Sequence, residues 1–202
     1  MDLAVFATAF LLIVPVELPD KTFVATLVLA TRYRPLPVWV GVTAAFLVQC
    51  VVAVTAGTLL SLLPHRWVQA GAALLFAIGA VVLFLGARKA DAEEAEKEQE
   101  YAAKIRDGKR PGWRAALTSF LVLFTAEWGD LSQLLTVGLV ARYREPIAVF
   151  AGSLLALAAV AGLAVLLGRV LLRRIRLALV NYLGALVCAA LAVITVVTLF
   201  TG

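Results

Sequence analysis

Six apolar runs follow one another along this chain, at residues 3–31, 38–63, 67–87, 113–141, 147–172 and 178–200. Each is long enough, at 1.5 Å per residue, to cross about 30 Å of hydrocarbon as a helix. Runs of this length leave few choices, because in lipid every backbone N–H and C=O must be satisfied within the protein. The expected fold is all-α, a polytopic membrane protein of six transmembrane helices. Composition agrees: 63% of the 202 residues are apolar, 15% are charged and the mean hydropathy is +0.98. Soluble domains show roughly 45–50% apolar and about 25% charged residues. The surplus of apolar surface needs a lipid bilayer to cover it.

Punctuation sets the ends of the runs. Arg32-Tyr33-Arg34-Pro35, Pro64-His65-Arg66 and Arg142-Tyr143-Arg144-Glu145-Pro146 separate consecutive spans. Tyr33, Trp39, Trp67, Trp113 and Tyr143 fall near span ends, where amphipathic rings favour the headgroup layer. The net charge of +5 does not indicate a nucleic-acid partner, because the basic residues gather in a few short loops. Fourteen Lys and Arg lie in or beside the loops after the first, third and fifth runs, against three on the other side. The positive-inside rule then makes the central loop cytoplasmic and places both termini outside. The first run lacks a basic flank and a small-residue cleavage site, so a permanent helix is expected there and not a signal peptide. Cys50 and Cys188 sit inside apolar runs with no Cys-x-x-Cys spacing, and read as small core residues.

A self-match runs through the chain. An offset of 110 residues sets Glu17 on Glu127, Asp20 on Asp130, Thr22 on Ser132 and Arg32-Tyr33-Arg34 on Arg142-Tyr143-Arg144. One more residue of offset sets Gly41 on Gly152 and Gly57 on Gly168. Polar and aromatic residues in register are not a by-product of apolar composition. Each half holds three spans, an odd number, so the halves enter the membrane from opposite sides as two inverted three-helix repeats. The first repeat covers residues 1–87 and the second 113–202. Residues 88–112 form a charged linker, acidic at its start (Glu93 to Glu100) and basic at its end (Lys104 to Arg110).

The repeat carries its acids into the bilayer. Glu17 lies about 21 Å along the first span, and Glu127 occupies the equivalent depth in the fourth. A charge at the bilayer centre costs roughly 2.5–3.5 kcal/mol, so the four acids together cost on the order of 10–14 kcal/mol. A cost kept twice in register points to use. Residues i and i+3 share a helix face, which aims Glu17 with Asp20 and Glu127 with Asp130. Two inverted helices brought together then surround one point with carboxylates and with the hydroxyls of Thr22 and Ser132. Clustered oxygens suit Ca²⁺, Mn²⁺ or Mg²⁺, and the lack of neighbouring Met, His or Cys argues against copper and zinc. Crowded carboxylates also share protons when no cation is bound, and a divalent cation displaces them. Pro15 and Pro19 each free a carbonyl within the first span, and Gly129 offers flexibility at the matching place of the fourth. Lys21 can offset part of the negative charge, but one lysine does not balance four acids. Gln49 is read as an interhelical hydrogen-bonder, with a site role as its alternative. His65 reads as a loop residue, and Arg32 and Arg142 as snorkelling anchors.

Glu17-Leu18-Pro19-Asp20-Lys21-Thr22 and Glu127-Trp128-Gly129-Asp130-Leu131-Ser132-Gln133 resemble the paired Glu-x-Gly-Asp-(Lys/Arg)-(Ser/Thr) signatures of the Gdt1 family, formerly UPF0016, which includes human transmembrane protein 165. The resemblance covers the whole chain and implies export of Mn²⁺ or Ca²⁺ from the cytoplasm, driven by proton entry. It implies cation ligands at Glu17, Asp20, Glu127 and Asp130, assisted by Thr22, Ser132 and Gln133. Pro19 departs from the first motif's glycine and Leu131 from the second motif's basic residue, which leaves the site more negative than the pattern.

Three function classes follow, with cation/proton exchange first. Export of a small organic cation, such as a basic amino acid, is the alternative, because four acids also accept an amine. An intramembrane metal-dependent lipid enzyme comes last, because the spans hold no histidine and no Ser-Arg phosphate cradle. No resident cofactor is expected, the metal ion and protons being cargo. A bacterial plasma membrane is the expected location, and the oligomeric state is left open.

Overall fold

The computed structural model describes residues 2–18, 21–87, 112–174 and 177–201, all of them helix or short connection. Asp20, Pro19 and the charged linker 88–111 lie outside the described residues, as does the side chain of Lys21. Eight helices are described: α1 (Leu3–Glu17), α2 (Lys21–Arg32), α3 (Pro35–Leu60), α4 (His65–Ala87), α5 (Gly112–Ala126), α6 (Leu131–Tyr143), α7 (Pro146–Arg174) and α8 (Leu177–Thr201). Local chemistry explains their ends. Asp2 caps α1, its carboxylate accepting from the Ala4 N–H at 2.8 Å. Pro35 opens α3, where its missing N–H costs nothing. Arg144 closes α6 in the left-handed region at φ 55°, just before Pro146 starts α7.

Both acid-bearing spans are broken helices, where the sequence led us to expect continuous ones. Pro35–Leu60, Arg66–Ala87 and Pro146–Leu166 are each long and apolar enough to cross a membrane alone. Leu3–Glu17 and Thr22–Arg32 qualify together, with their axes turned by 70°. Gly112–Ala126 and Ala185–Phe200 are shorter apolar helices. The all-helical membrane fold stands, with the first and fourth expected spans each divided into two helices. The cause is turn chemistry at mid-membrane, described below for the second repeat.

Much of the packing maps onto itself when the two halves are exchanged. The exceptions are α4 against α6 and α1 against α8, which have no matching contacts of that extent among the described residues. Helix α1 packs on α7 as α5 packs on α3, α2 packs on α7 as α6 packs on α3, and α1 meets α6 as α5 meets α2. Helices α3 and α7 touch each other at the centre, and α4 pairs with α8 on the flank. The closest crossings also come in a matched pair. A Cβ on Gly41 of α3 would lie 2.1 Å from the Ala116 carbonyl oxygen of α5, and one on Gly152 of α7 would lie 2.5 Å from the Phe6 carbonyl oxygen of α1. Gly41 and Gly152 are repeat mates, and so are Ala116 and Phe6. Small residues at such crossings let helix backbones approach, which is how membrane bundles gain packing contact.

Polarity runs from inside to outside in the order lipid demands. Leu11, Leu59, Leu74, Leu117, Leu166 and Phe200 are exposed on the outer surface. Glu17, Thr22, Gln49, Glu127, Ser132 and Thr136 are buried. A soluble protein sorts these classes the other way. Cys50 and Cys188 are both buried and free, as small core residues.

Candidate functional site

In the second repeat the site grows out of a break between two helices. Helix α5 ends at Ala126, and the Glu127 N–H closes the last turn on the Leu123 carbonyl at 3.0 Å. Gly129 then turns the chain at φ +80°, a conformation open to glycine without a Cβ penalty. Asp130 restarts the helix as the N-cap of α6, its carboxylate accepting from the Ser132 N–H at 3.2 Å. Glu127 and Asp130 therefore do not share a helix face, as the spacing alone suggested. They stand on either side of a turn, and the turn aims both acids to the same place. Gln133 stitches that turn from within. Its side-chain N–H₂ donates to the Glu127 carbonyl at 2.9 Å and its side-chain oxygen accepts from the Gly129 N–H at 3.2 Å.

Glu17, the last residue of α1, meets this turn from the other repeat. One carboxylate oxygen from each of Glu17, Glu127 and Asp130 lies within 4.8 Å of the other two. Glu17 and Glu127 are each 1% exposed, and Asp130 is half-buried. The Thr22 hydroxyl of α2 donates a short hydrogen bond to the Glu17 carboxylate. Like charges this close repel by about 3–4 kcal/mol per pair at an effective dielectric constant near 20. Protons, a cation or a basic side chain offsets such charge. Oxygens on opposite sides of a Ca²⁺ ion stand about 4.6–5.2 Å apart, and those around smaller ions stand closer. A separation of no more than 4.8 Å fits oxygens around one ion.

The other sequence-picked residues fall into two groups. Glu17, Thr22, Glu127 and Asp130 converge, whereas Ser132 and Gln133 line a neighbouring cavity of about 10 Å³ with Gln49, Cys50, Ala53 and Thr136. Asp20 lies outside the described residues. Gln49 of α3 reaches across to α5, donating to the Phe124 carbonyl at 3.3 Å, and so acts as the interhelical hydrogen-bonder its position suggests. The sequence reading did not single out Thr26, Thr136 or Ser153, all of them buried. Thr136 donates to the Ser132 carbonyl at 2.8 Å and sits 3.3 Å from the Ser153 hydroxyl. Thr26 falls on Thr136 at the same 110-residue offset as the acids, a signal that was available. Arg142 is drawn inward as well as anchored, its guanidinium donating to the buried Thr195 hydroxyl of α8.

Comparison with known proteins agrees with this arrangement. The family model described as "Divalent cation/proton antiporter GDT1" matches twice, over residues 5–91 and 115–202. The chain is 33% identical to GDT1-like protein sll0615 of Synechocystis sp., covering 96% of this chain and 97% of that protein. It is 32% identical to Protein PAM71, chloroplastic, of Arabidopsis thaliana, covering 97% of this chain and 57% of that protein. It is also 32% identical to GDT1-like protein 1, chloroplastic, of Oryza sativa subsp. indica, covering 95% of this chain and 61% of that protein. The chain thus spans about three fifths of the length of these two plant relatives. No solved structure matches. With one family match on each repeat and carboxylates from both repeats meeting in the buried centre, the chain belongs to the GDT1 family of divalent cation/proton antiporters.

Proposed function

We propose that this protein exports Mn²⁺ or Ca²⁺ from the cytoplasm in exchange for protons, at one site shared by its two repeats. The observation that carries this reading is the meeting of Glu17 with Glu127 and Asp130 within 4.8 Å. Asp20 joins as the fourth ligand by its repeat register with Asp130. Thr22 orients Glu17 through its hydroxyl. Ser132 and Gln133 support the second motif, Gln133 by fixing the turn that holds Glu127 and Asp130.

The chemistry of exchange follows from crowding. With no cation bound, protons shared among the acids relieve their repulsion. A divalent cation supplies the same relief and displaces those protons, because both loads use the same oxygens. Binding one therefore releases the other, and a site that turns toward one membrane face at a time converts this competition into counter-transport. A basic amino acid is the alternative cargo, since clustered acids also accept an amine. In this reading the linker 88–112 is cytoplasmic and both termini are outside, as the positive-inside count suggests, in a bacterial plasma membrane.

Purified protein in liposomes containing a pH dye tests this reading. Mn²⁺ or Ca²⁺ added outside should enter while protons leave, and acidifying the outside should slow entry by competition for the carboxylates. No flux of either ion, or flux without proton movement, refutes it.

A further inference from the structure

The two repeats flank the carboxylates differently, and the difference lies in one pair of positions. On the side toward Arg144, Gln49 of α3 and Gln133 of α6 face the small cavity together with Ala53. At the repeat offsets Gln49 falls on Val160, Gln133 on Phe23 and Ala53 on Ala164. Those three mates pack with Leu18 into one buried apolar cluster, on the side toward Arg34. Thr22 and Ser132, and Thr26 and Thr136, keep hydroxyls in both halves. A pair of amides on one side is thus an apolar plug on the other. The second motif position follows the same asymmetry: Leu18 is buried at 9% exposure, while its mate Trp128 is 63% exposed.

Resting on the exchanger reading, we propose that Gln49 and Gln133 line the passage between the carboxylate site and the Arg144 face, and that Phe23 with Val160 closes the equivalent passage to the Arg34 face. A cation leaving water needs oxygen ligands in place of its hydration shell. The Gln49 side-chain carbonyl supplies one, and that of Gln133, which also accepts from the Gly129 N–H, has a second lone pair to offer, whereas an apolar constriction excludes both ion and water. The cavity is the size of about one water site and has several polar groups within reach of it. The amides also bond to the carbonyls of Phe124 and Glu127 around the end of α5, so the passage is tied to the turn that carries Glu127 and Asp130. Among the described residues, the Arg34 side presents an apolar cluster and the Arg144 side presents polar groups.

Gln49→Val installs the residue of the repeat mate. It is expected to slow cation flux in liposomes by about 10-fold or more, while equilibrium Mn²⁺ affinity of the solubilised protein changes by less than about 3-fold. Flux within twofold of wild type overturns the passage. An affinity loss as large as that of Glu127→Gln also overturns it, because Gln49 would then act as a ligand. Should Gln49→Val fail to fold, thiol labelling decides. Ala53→Cys and Ala164→Cys are compared in a Cys50→Ala, Cys188→Ala background with a small methanethiosulfonate cation and no metal. Ala53→Cys is expected to react about 10-fold faster, since the reacting thiolate needs water, and equal or reversed rates overturn the proposal. If wild type moves no divalent cation the exchanger itself fails and the passage with it. If wild type transports and Gln49→Val matches it, only the passage fails.

Discussion

Glu127→Gln and Glu17→Gln are each expected to reduce cation-driven proton movement by more than about 100-fold, since changing even a group that merely supports a metal ligand costs 10–100-fold in affinity or activity. Glutamine keeps the shape of the side chain and removes its charge and its exchangeable acid proton. Each glutamate is 1% exposed and faces at least one carboxylate of the opposite repeat. Neutralising one therefore relieves repulsion in the empty site. Thermal stability in detergent without metal should hold or rise, although transport is lost. If these acids served only to hold helices together, the same substitutions would lower stability and leave transport impaired in proportion. The double variant should be no worse than either single one, because both glutamates act on one ion and their effects do not add. Two independent sites would instead give partial losses that multiply. Liposome flux and a melting curve on the same preparations separate these outcomes.

Gly41→Leu and Gly152→Leu are expected to produce the largest losses of folded protein. A Cβ at Gly41 would meet the Ala116 carbonyl oxygen at 2.1 Å. At Gly152 it would meet the Phe6 carbonyl oxygen at 2.5 Å and the Ala9 Cβ at 3.0 Å. These obstacles are mostly backbone, so the helices must separate to admit a side chain. Overpacking costs roughly 1–3 kcal/mol even for added methylenes, and leucine asks for more than a methyl group. Gly71 provides the control, because nothing lies within 4 Å of its would-be Cβ. Gly71→Ala in α4 should be neutral or stabilising by up to about 1 kcal/mol, the helix-propensity gain. Recovery of a monodisperse peak after heating in detergent ranks the three. Equal recovery for all of them would contradict the tight α3–α5 and α1–α7 crossings.

Much of this architecture was legible in the sequence, for identifiable reasons. Hydropathy gave the membrane class, because no soluble core hides so large an apolar fraction. The repeat was legible through residues that lipid does not favour: Glu17, Asp20 and Thr22 have no reason to recur at Glu127, Asp130 and Ser132 unless position matters. The sequence marked Pro15, Pro19 and Gly129 as flexible places, but apolar continuity across the fourth span hid the full division into two helices. Gly129 followed by Asp130 is a stop followed by an N-cap, and the backbone obeys it even in mid-membrane. The face-sharing argument for Glu127 and Asp130 thus reached the right convergence by the wrong geometry. The contrast between Gln49 with Gln133 and Val160 with Phe23 was hidden for another reason. Its two members follow offsets that differ by one residue, and they meet only after α3 packs on α6 and α7 on α2.

The most direct test of a shared site is to count bound ions. Equilibrium dialysis of the solubilised protein against Mn²⁺ should give one tightly bound ion per chain, and Glu17→Gln or Glu127→Gln should each abolish that binding. Two ions per chain, with each variant keeping one, would contradict a site built jointly by the two repeats.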